Sequence, residues 1–458
     1  MVSLQIPLDD ERFVGSRVPR LKGTPVLGVL PAVRRDPLGF FVRTAARFDE
    51  AVQLEFGVQR FVMLNRPEYI RHVFQDNHAN YRKSKFYGPL KPILGEGIFL
   101  SEGETWLRQR RTAAKGFQGV ELRGMLDPML AATDDMMARW DVTMRLGEPL
   151  DIVREMMRLT LDVVLRCLLS VRLDDEHGTV FESLTTLLRD AERRVWSIAD
   201  LPPWVPTPAR RDCARALARL DHFAETVIAE RLASTAPHDD LLQRLVEAYR
   251  EGTLPRSVLR DQVLSFILAG HETTANALAW TFFLLSKHAG CARRAKLEID
   301  ALLGKAAPRF DQLAELGYTR QAFDEALRLY PPVWTLSRTP IEDDRIGDLR
   351  IPAGTPVQLC AFAVHRRTEL WRNPEAYDPD RFGAERARQI PRYAYFPFGG
   401  GPRVCLGARF ATIEAMVVLA MVLRRFALEV VPGQRVEPEP MITLRPRDPL
   451  LMSLREAG

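Results

Sequence analysis

The run Phe398-Gly399-Gly400-Gly401-Pro402-Arg403-Val404-Cys405-Leu406-Gly407 sets one cysteine in a glycine-rich loop. An arginine stands two residues before it, and an apolar helical pattern follows at once. Glycine lets backbone approach a ligand closely because no side chain intervenes. A cysteine in such a loop is suited to giving a thiolate to a flat cofactor that the backbone lies against. The ordinary alternative is a structural cysteine after a glycine turn, since a free thiol packs as a small hydrophobe.

All five fixed positions of Phe-x-x-Gly-x-Arg-x-Cys-x-Gly are filled, and the run resembles the haem-ligand loop of the cytochrome P450 family. The resemblance implies haem b with Cys405 as its axial thiolate and iron ligand. Thiolate ligation gives iron the electron density that favours O–O cleavage. A free thiol titrates near pH ~8.5, and both the iron and a helix expected to start near Leu406 favour its ionised form. Gly401 and Gly407 leave room for backbone beside the porphyrin. Arg403 offers a forked cation to a propionate, and Phe398 would shield the sulfur from water.

The other cysteines, Cys167, Cys213, Cys291 and Cys360, stand in apolar or charged helical or strand-like contexts. No C-x-x-C pair supports zinc or dithiol chemistry, and no C-x-x-C-H offers covalent haem attachment. Five scattered cysteines suit a reducing cytoplasm better than a disulfide framework. With 458 residues at 46% hydrophobic content, the chain can bury a large core. Its length suggests two or three domains, yet no linker, repeat or low-complexity tract divides it, so a single domain over 1–458 is expected. Asp9, Asp10, Glu11, Arg12, Arg17, Arg20 and Lys22 leave no apolar region for a signal peptide. No apolar run reaches the roughly 18 residues of a membrane span. Eukaryotic members of the resembled family usually carry an anchor, so a soluble, cytoplasmic, bacterial-type member is expected. The net charge of +5 does not by itself argue for nucleic acid.

A mainly α fold with a small β-sheet region is expected. Residues 52–56 and 60–64 read as a strand pair around Gly57. Pro67 opens a helix to about Gln75. Tyr87 to Gly103 reads as a loop, helices dominate from Glu104 to Lys305, and strands return at 335–340 and 352–362. Short strands and turns close the chain over 427–454. The resembled family has this architecture, with haem between a long central helix and the cysteine loop. The likeness covers almost the whole chain and is weakest between Asp174 and Leu254.

The longest helical pattern runs from Ser257 to His288 and would span roughly 48 Å. In its middle, Ala269-Gly270-His271-Glu272-Thr273-Thr274 resembles the family's oxygen-activating helix. By that resemblance Ala269 and Gly270 leave space above the iron, Thr273 hydrogen-bonds oxygen there, and Glu272 feeds protons through water. Mid-helix glycine costs about 1 kcal/mol relative to alanine, so a packing or functional reason is expected, such as a local helix opening. His271 is turned about 100° from Gly270, which favours a satisfied core histidine over an iron ligand.

Glu325 and Arg328, at i and i+3, share a helix face. The resemblance makes them the E-x-x-R pair, completed by Arg381 and locking the haem-loop scaffold. Trp106 and Arg110 match the family's W-x-x-x-R propionate pair, and Arg338 a third propionate contact. Arg108, Arg110, Arg111 and Lys115, with no acid among them, suit the docking of an acidic electron donor.

The chain ends at Gly458 with no G-x-G-x-x-G loop or reductase segment, so a ferredoxin and ferredoxin reductase are expected as electron donors. Family topology puts substrate near Phe99, Phe266, Val333, Trp334 and Leu336, with the Trp334 indole narrowing the space above haem. These apolar residues suit a hydrophobic small molecule such as a fatty acid or terpenoid. The expected activity is an O2-dependent monooxygenase. The alternative is a haem-thiolate isomerase or dehydratase needing no reductant, and a haem sensor would have no use for Glu272-Thr273.

Overall fold

Strands form where branched and aromatic residues run together. The computed structural model describes residues 18–57, 59–172, 178–195, 205 and 207–457. It is mostly helical, 59% helix against 13% strand, which places the fold in the mainly α class. The helical expectation for residues 173–177 and 196–204 lies outside the described residues. The rest falls into two compact units interleaved along the chain.

The first unit comprises the described residues up to Tyr87, Val333–Ala376 and Ala384–Cys405. Its sheet orders Ala51–Phe56, Gln59–Leu64, Val357–Leu359, Leu336–Pro340 and Tyr81–Lys83 side by side. The expected pair forms as an antiparallel hairpin with Val52 opposite Met63. Val62 then pairs in parallel with Val357, and Arg338 lies between Val357 and Lys83. Leu64, Ile70, Phe74, Leu359 and Phe396 close the core on this sheet. The second returning strand is shorter than expected: Val357–Leu359 gives way to a helical turn at Ala361–Val364. The helix from Pro67 ends at Arg71 and continues as a π-helical turn, His72–Asp76.

The second unit comprises Gly88–Pro332, Tyr377–Gly383 and Leu406–Gly458. Six of its helices matter below: α1 (Gly103–Ala114), α2 (Leu126–Leu146), α3 (Ile152–Val164), α4 (Arg256–Lys287), α5 (Gly317–Leu329) and α6 (Ala408–Arg425). Helix α2 stops at Gly147, which takes the left-handed conformation favoured at a C-terminus. Helix α3 starts at Asp151, whose carboxylate accepts from Val153 N at 3.1 Å. The 32-residue helix α4 begins and ends one residue before the expected bounds. Its core face meets α3 so closely that a Cβ on Gly270 would lie 2.7 Å from Val164 Cγ2. That packing accounts for the glycine. Helix α4 is continuous there, so the expected local opening is absent. Short strands of 426–430 and 451–456 and a hairpin of 438–440 with 444–446 close this unit.

Helix α5 carries a completely buried ion pair. Glu325 accepts from Arg328 Nε at 2.7 Å and Nη2 at 2.8 Å, from Arg381 Nε at 3.1 Å and from Asp378 N at 3.0 Å. The expected pair is thus a three-residue cluster, with Glu325 and Arg328 wholly shielded from solvent. Removing one partner of a buried pair leaves an uncompensated charge and costs about 3–5 kcal/mol. Arg328→Ala should lose stability on that scale in chemical denaturation.

Candidate active site

The glycine-rich run of the first unit folds as a loop closed by its own backbone: Cys405 N donates to Phe398 O at 2.9 Å. Gly401 opens a 3-10 turn, Gly401–Arg403, at φ +64°. A Cβ on it would stand 1.6 Å from the Phe74 carbonyl oxygen. Only glycine meets both demands, since the obstacle is backbone that no rotamer relieves. Phe74 belongs to the π turn, a geometry that recurs at functional places. That turn is pinned by Asp344, whose carboxylate takes His72 Nε2 at 2.9 Å, Asn77 Nδ2 at 2.9 Å and the Tyr81 hydroxyl at 2.5 Å. Burial alone would raise the Asp344 pKa, but His72 and Tyr81 prevail and hold it below the ordinary carboxylate value.

Cys405 is the exposed cysteine of the five. Cys167 and Cys360 are buried, and desolvation pushes their thiols up, that of Cys360 to about 12. Those two therefore keep their protons; Cys213 and Cys291 are half-buried, and the loop cysteine is the most exposed of the five. Phe398 is half-buried and Arg403 partly exposed on the same loop. Arg338 is buried in the sheet, donates from Nη1 to Ser337 O at 2.9 Å and lies over the Phe74 ring at 5.6 Å. Gly407 caps helix α6, so that helix begins at Ala408, two residues later than expected, and Cys405 precedes its cap.

In the second unit, α4 is buried on either side of a short gap. Ala269 is exposed and Leu268, Gly270 and Thr273 are half-buried, between the buried runs Asp261–Ile267 and Thr274–Phe282. Ala269 therefore fits the expected open position, but Gly270 does not create the space: its missing Cβ is filled by Val164. Thr273 donates its hydroxyl to Ala269 O at 2.8 Å, the i−4 bond common for threonine within helices. Glu272 is buried, and desolvation raises its pKa against a hydrogen bond from Thr443 and the Arg445 charge. His271 is turned away from the gap onto the Phe181 ring at 5.8 Å. It is a buried histidine, and burial lowers its pKa to about 4 against a hydrogen bond to the Met157 backbone. Glu414 of α6 is likewise sealed, lies beside Thr274, and is driven well above the carboxylate range by desolvation.

On α1, the Arg110 guanidinium stacks over Trp106 at 5.8 Å, and Arg108, Arg111 and, just past its end, Lys115 are exposed. Of the expected substrate contacts, Phe99, Val333 and Leu336 are half-buried, and Phe266 is buried against Phe117. Trp334 departs from expectation. Its indole packs into the core 5.8 Å from Phe41 and is 3% exposed, so it narrows no open space. Thr443, Arg445 and Glu414 were not among the expected residues. No sequence signal marks them, since each gains meaning only from its neighbour on α4.

The Cytochrome P450 family profile matches residues 18–453, and the chain belongs to this family of haem-thiolate monooxygenases. Cyclooctatin synthase of Streptomyces melanosporofaciens is 33% identical over 92% of each chain. Cyclooctat-9-en-7-ol 5-monooxygenase of the same species is 33% identical over 89% of each. Pentalenene oxygenase of Streptomyces avermitilis is 30% identical over 95% of this chain and 96% of its own. The crystal structure of the cytochrome P450DA heme domain superposes with a TM-score of 0.87 at 27% identity, covering 96% of this chain and 97% of that one. The family's cofactor is haem b with an axial cysteine thiolate. The first unit's residues fit it: the exposed thiol of Cys405 stands on a glycine-rich loop that also carries the partly exposed Arg403 cation, suited to a carboxylate. Among the described residues, no helix is long and apolar enough to cross a membrane.

Two outcomes follow. Gly401→Ala should sharply lower haem bound per purified chain, measured by absorbance against protein concentration, while Gly407→Ala should be milder, because its nearest contact is 4.0 Å away. Glu414 holds its proton when folded and releases it when unfolded, so its contribution favours the native state below pH ~4.5 and fades as pH rises. Glu414→Gln should flatten that fall, which thermal denaturation across a pH series would reveal.

Proposed function

We propose that the protein inserts one oxygen atom of O2 into a C–H bond of a hydrophobic terpenoid, using electrons from a separate ferredoxin and its reductase. Cys405 would supply the thiolate ligand to haem, and Arg403, Arg338 and the Trp106–Arg110 pair would be the groups that meet its carboxylates. When bound, haem with a thiolate ligand supplies the O–O cleavage chemistry. The observation that carries the reading is the acid–alcohol pair beside the break in burial at Leu268–Gly270 in the middle of α4: Thr273 half-buried and Glu272 buried next to it.

The Thr273 hydroxyl donates to Ala269 O, which leaves its oxygen lone pairs to accept a proton from water or a neighbour. Turning that hydroxyl out of its helix bond lets it donate in turn. Glu272 keeps its proton to a higher pH than an exposed glutamate because burial disfavours the carboxylate. A carboxyl whose proton is retained by burial can act as a proton donor and be reprotonated in turn. Val333 and Leu336 of the first unit and, separately, Phe99 of the second are half-buried apolar side chains of the kind that suit a hydrocarbon substrate. The terpenoid reading is supported by the relatives whose names are cyclooctat-9-en-7-ol 5-monooxygenase and pentalenene oxygenase. The ferredoxin reading is supported by the exposed Arg108 and Arg111 of α1 and by Lys115 just past its end, which suit an acidic partner.

Cys405→Ala should abolish the thiolate-type carbon monoxide spectrum of the reduced protein. Thr273→Ala should keep that spectrum yet yield far less product per electron pair, and Glu272→Gln should slow turnover on the order of 10²-fold. Full coupling in Thr273→Ala, or product formed anaerobically without reductant, would overturn the assignment in favour of an isomerase or dehydratase.

A further inference from the structure

Glu272, Asn276 and Trp280 stand four residues apart on α4 and so lie along one stripe of the helix. Between them they engage three consecutive residues at the C-terminal hairpin, Thr443, Leu444 and Arg445. Asn276 Nδ2 donates to Thr443 Oγ1 at 3.0 Å, and Trp280 Nε1 donates to Leu444 O at 3.2 Å. The Glu272 carboxyl meets the Thr443 hydroxyl and the Arg445 charge. The hairpin is held in turn from behind. Leu444 N donates to Pro332 O at 2.9 Å, and Arg445 is held by Glu439 on the facing strand at 3.0 Å.

The hydroxyl accounting gives Thr443 its direction. A threonine hydroxyl has one proton and accepts through its lone pairs. Asn276 occupies the accepting side, so the Thr443 proton is the one left for the Glu272 oxygen. Thr443 is itself 5% exposed and the Glu272 carboxyl is sealed beside it, so water does not compete for this bond. The groups acting on Glu272 are Thr443 and Arg445 from the hairpin; on its own helix, His271 is turned to Phe181, and Glu414 of α6 lies at Thr274.

We propose that Thr443 is the positioning residue for Glu272: anchored by Asn276, its hydroxyl fixes the carboxyl and stabilises the ionised form. This rests on Glu272 being the proton-delivering group. A carboxyl buried without such a donor would keep its proton and could not cycle. Arg445 adds charge of the same effect, balanced by Glu439, and Asn276 keeps the hydroxyl from turning away.

The test is an infrared pH titration of the haem-loaded protein, following the protonated-carboxyl band that disappears in Glu272→Gln. Thr443→Val, which keeps the shape and removes the hydroxyl, should move its midpoint to higher pH by about one to two units. It should also lower product per electron pair, and Thr443→Ser should restore both. Asn276→Ala, which frees the hydroxyl without removing it, should move the midpoint the same way by less, and it serves should Thr443→Val fail to fold. An unmoved midpoint in whichever of the two variants folds, with Glu272→Gln still uncoupled, overturns the role of Thr443 alone. Unchanged turnover and coupling in Glu272→Gln overturn the proton-delivery reading beneath it, whatever Thr443 does.

Discussion

Desolvation along α4 governs the chemistry of this protein. A helix of 32 residues, buried over most of its length, strips water from every polar side chain that it carries. Each such group must then find a partner within the protein, change its protonation or remain unsatisfied at a cost. The sequence Gly270 to Thr274 shows the first two outcomes. Glu272 finds Thr443, His271 is held neutral by burial, and Thr273 turns back on its own helix. The short exposed stretch at Ala269 is where the constraint lifts, and the acid–alcohol pair stands at its edge.

The same physics explains why charges elsewhere are so fully bonded. Glu325 takes hydrogen bonds from two arginines and a backbone amide, and Asp344 takes donors from a histidine, a tyrosine and an asparagine. A half-bonded carboxylate in either place would be worse than an apolar side chain. In the first unit, the Asp344 network pins the turn that carries Phe74. The Phe74 carbonyl in turn allows nothing larger than glycine at position 401. Backbone contact and buried charge together define the shape of the cysteine loop.

Much of the fold was legible because its signals are local. The branched run around Gly57, the bounds of α4 and the closing strands follow from periodicity and turn residues acting over a few positions. The loop of Cys405 was legible because its glycines and arginine lie within ten residues. Other readings failed for a common reason. Trp334 was expected in open space and is packed on Phe41; Gly270 was expected to open its helix and instead admits Val164. In both cases the partner lies far along the chain, and hydrophobic side chains are read alike whether they face a pocket or a core.

The sequence by itself determined the chemical inventory: one thiol in a glycine-rich loop, an acid and an alcohol mid-helix, and arginines spaced for carboxylates. Those are matters of residue type and short spacing, which the chain carries in linear form. Only the tertiary structure decided which groups are desolvated and by whom they are held. Thr443 reaches α4 across 167 positions to bond Asn276, and Glu414 meets Thr274 from another helix. A carboxyl's working pKa depends on burial and on donors brought together by folding. The identity of the acid is therefore written in the chain, whereas its readiness to give up a proton is set by packing.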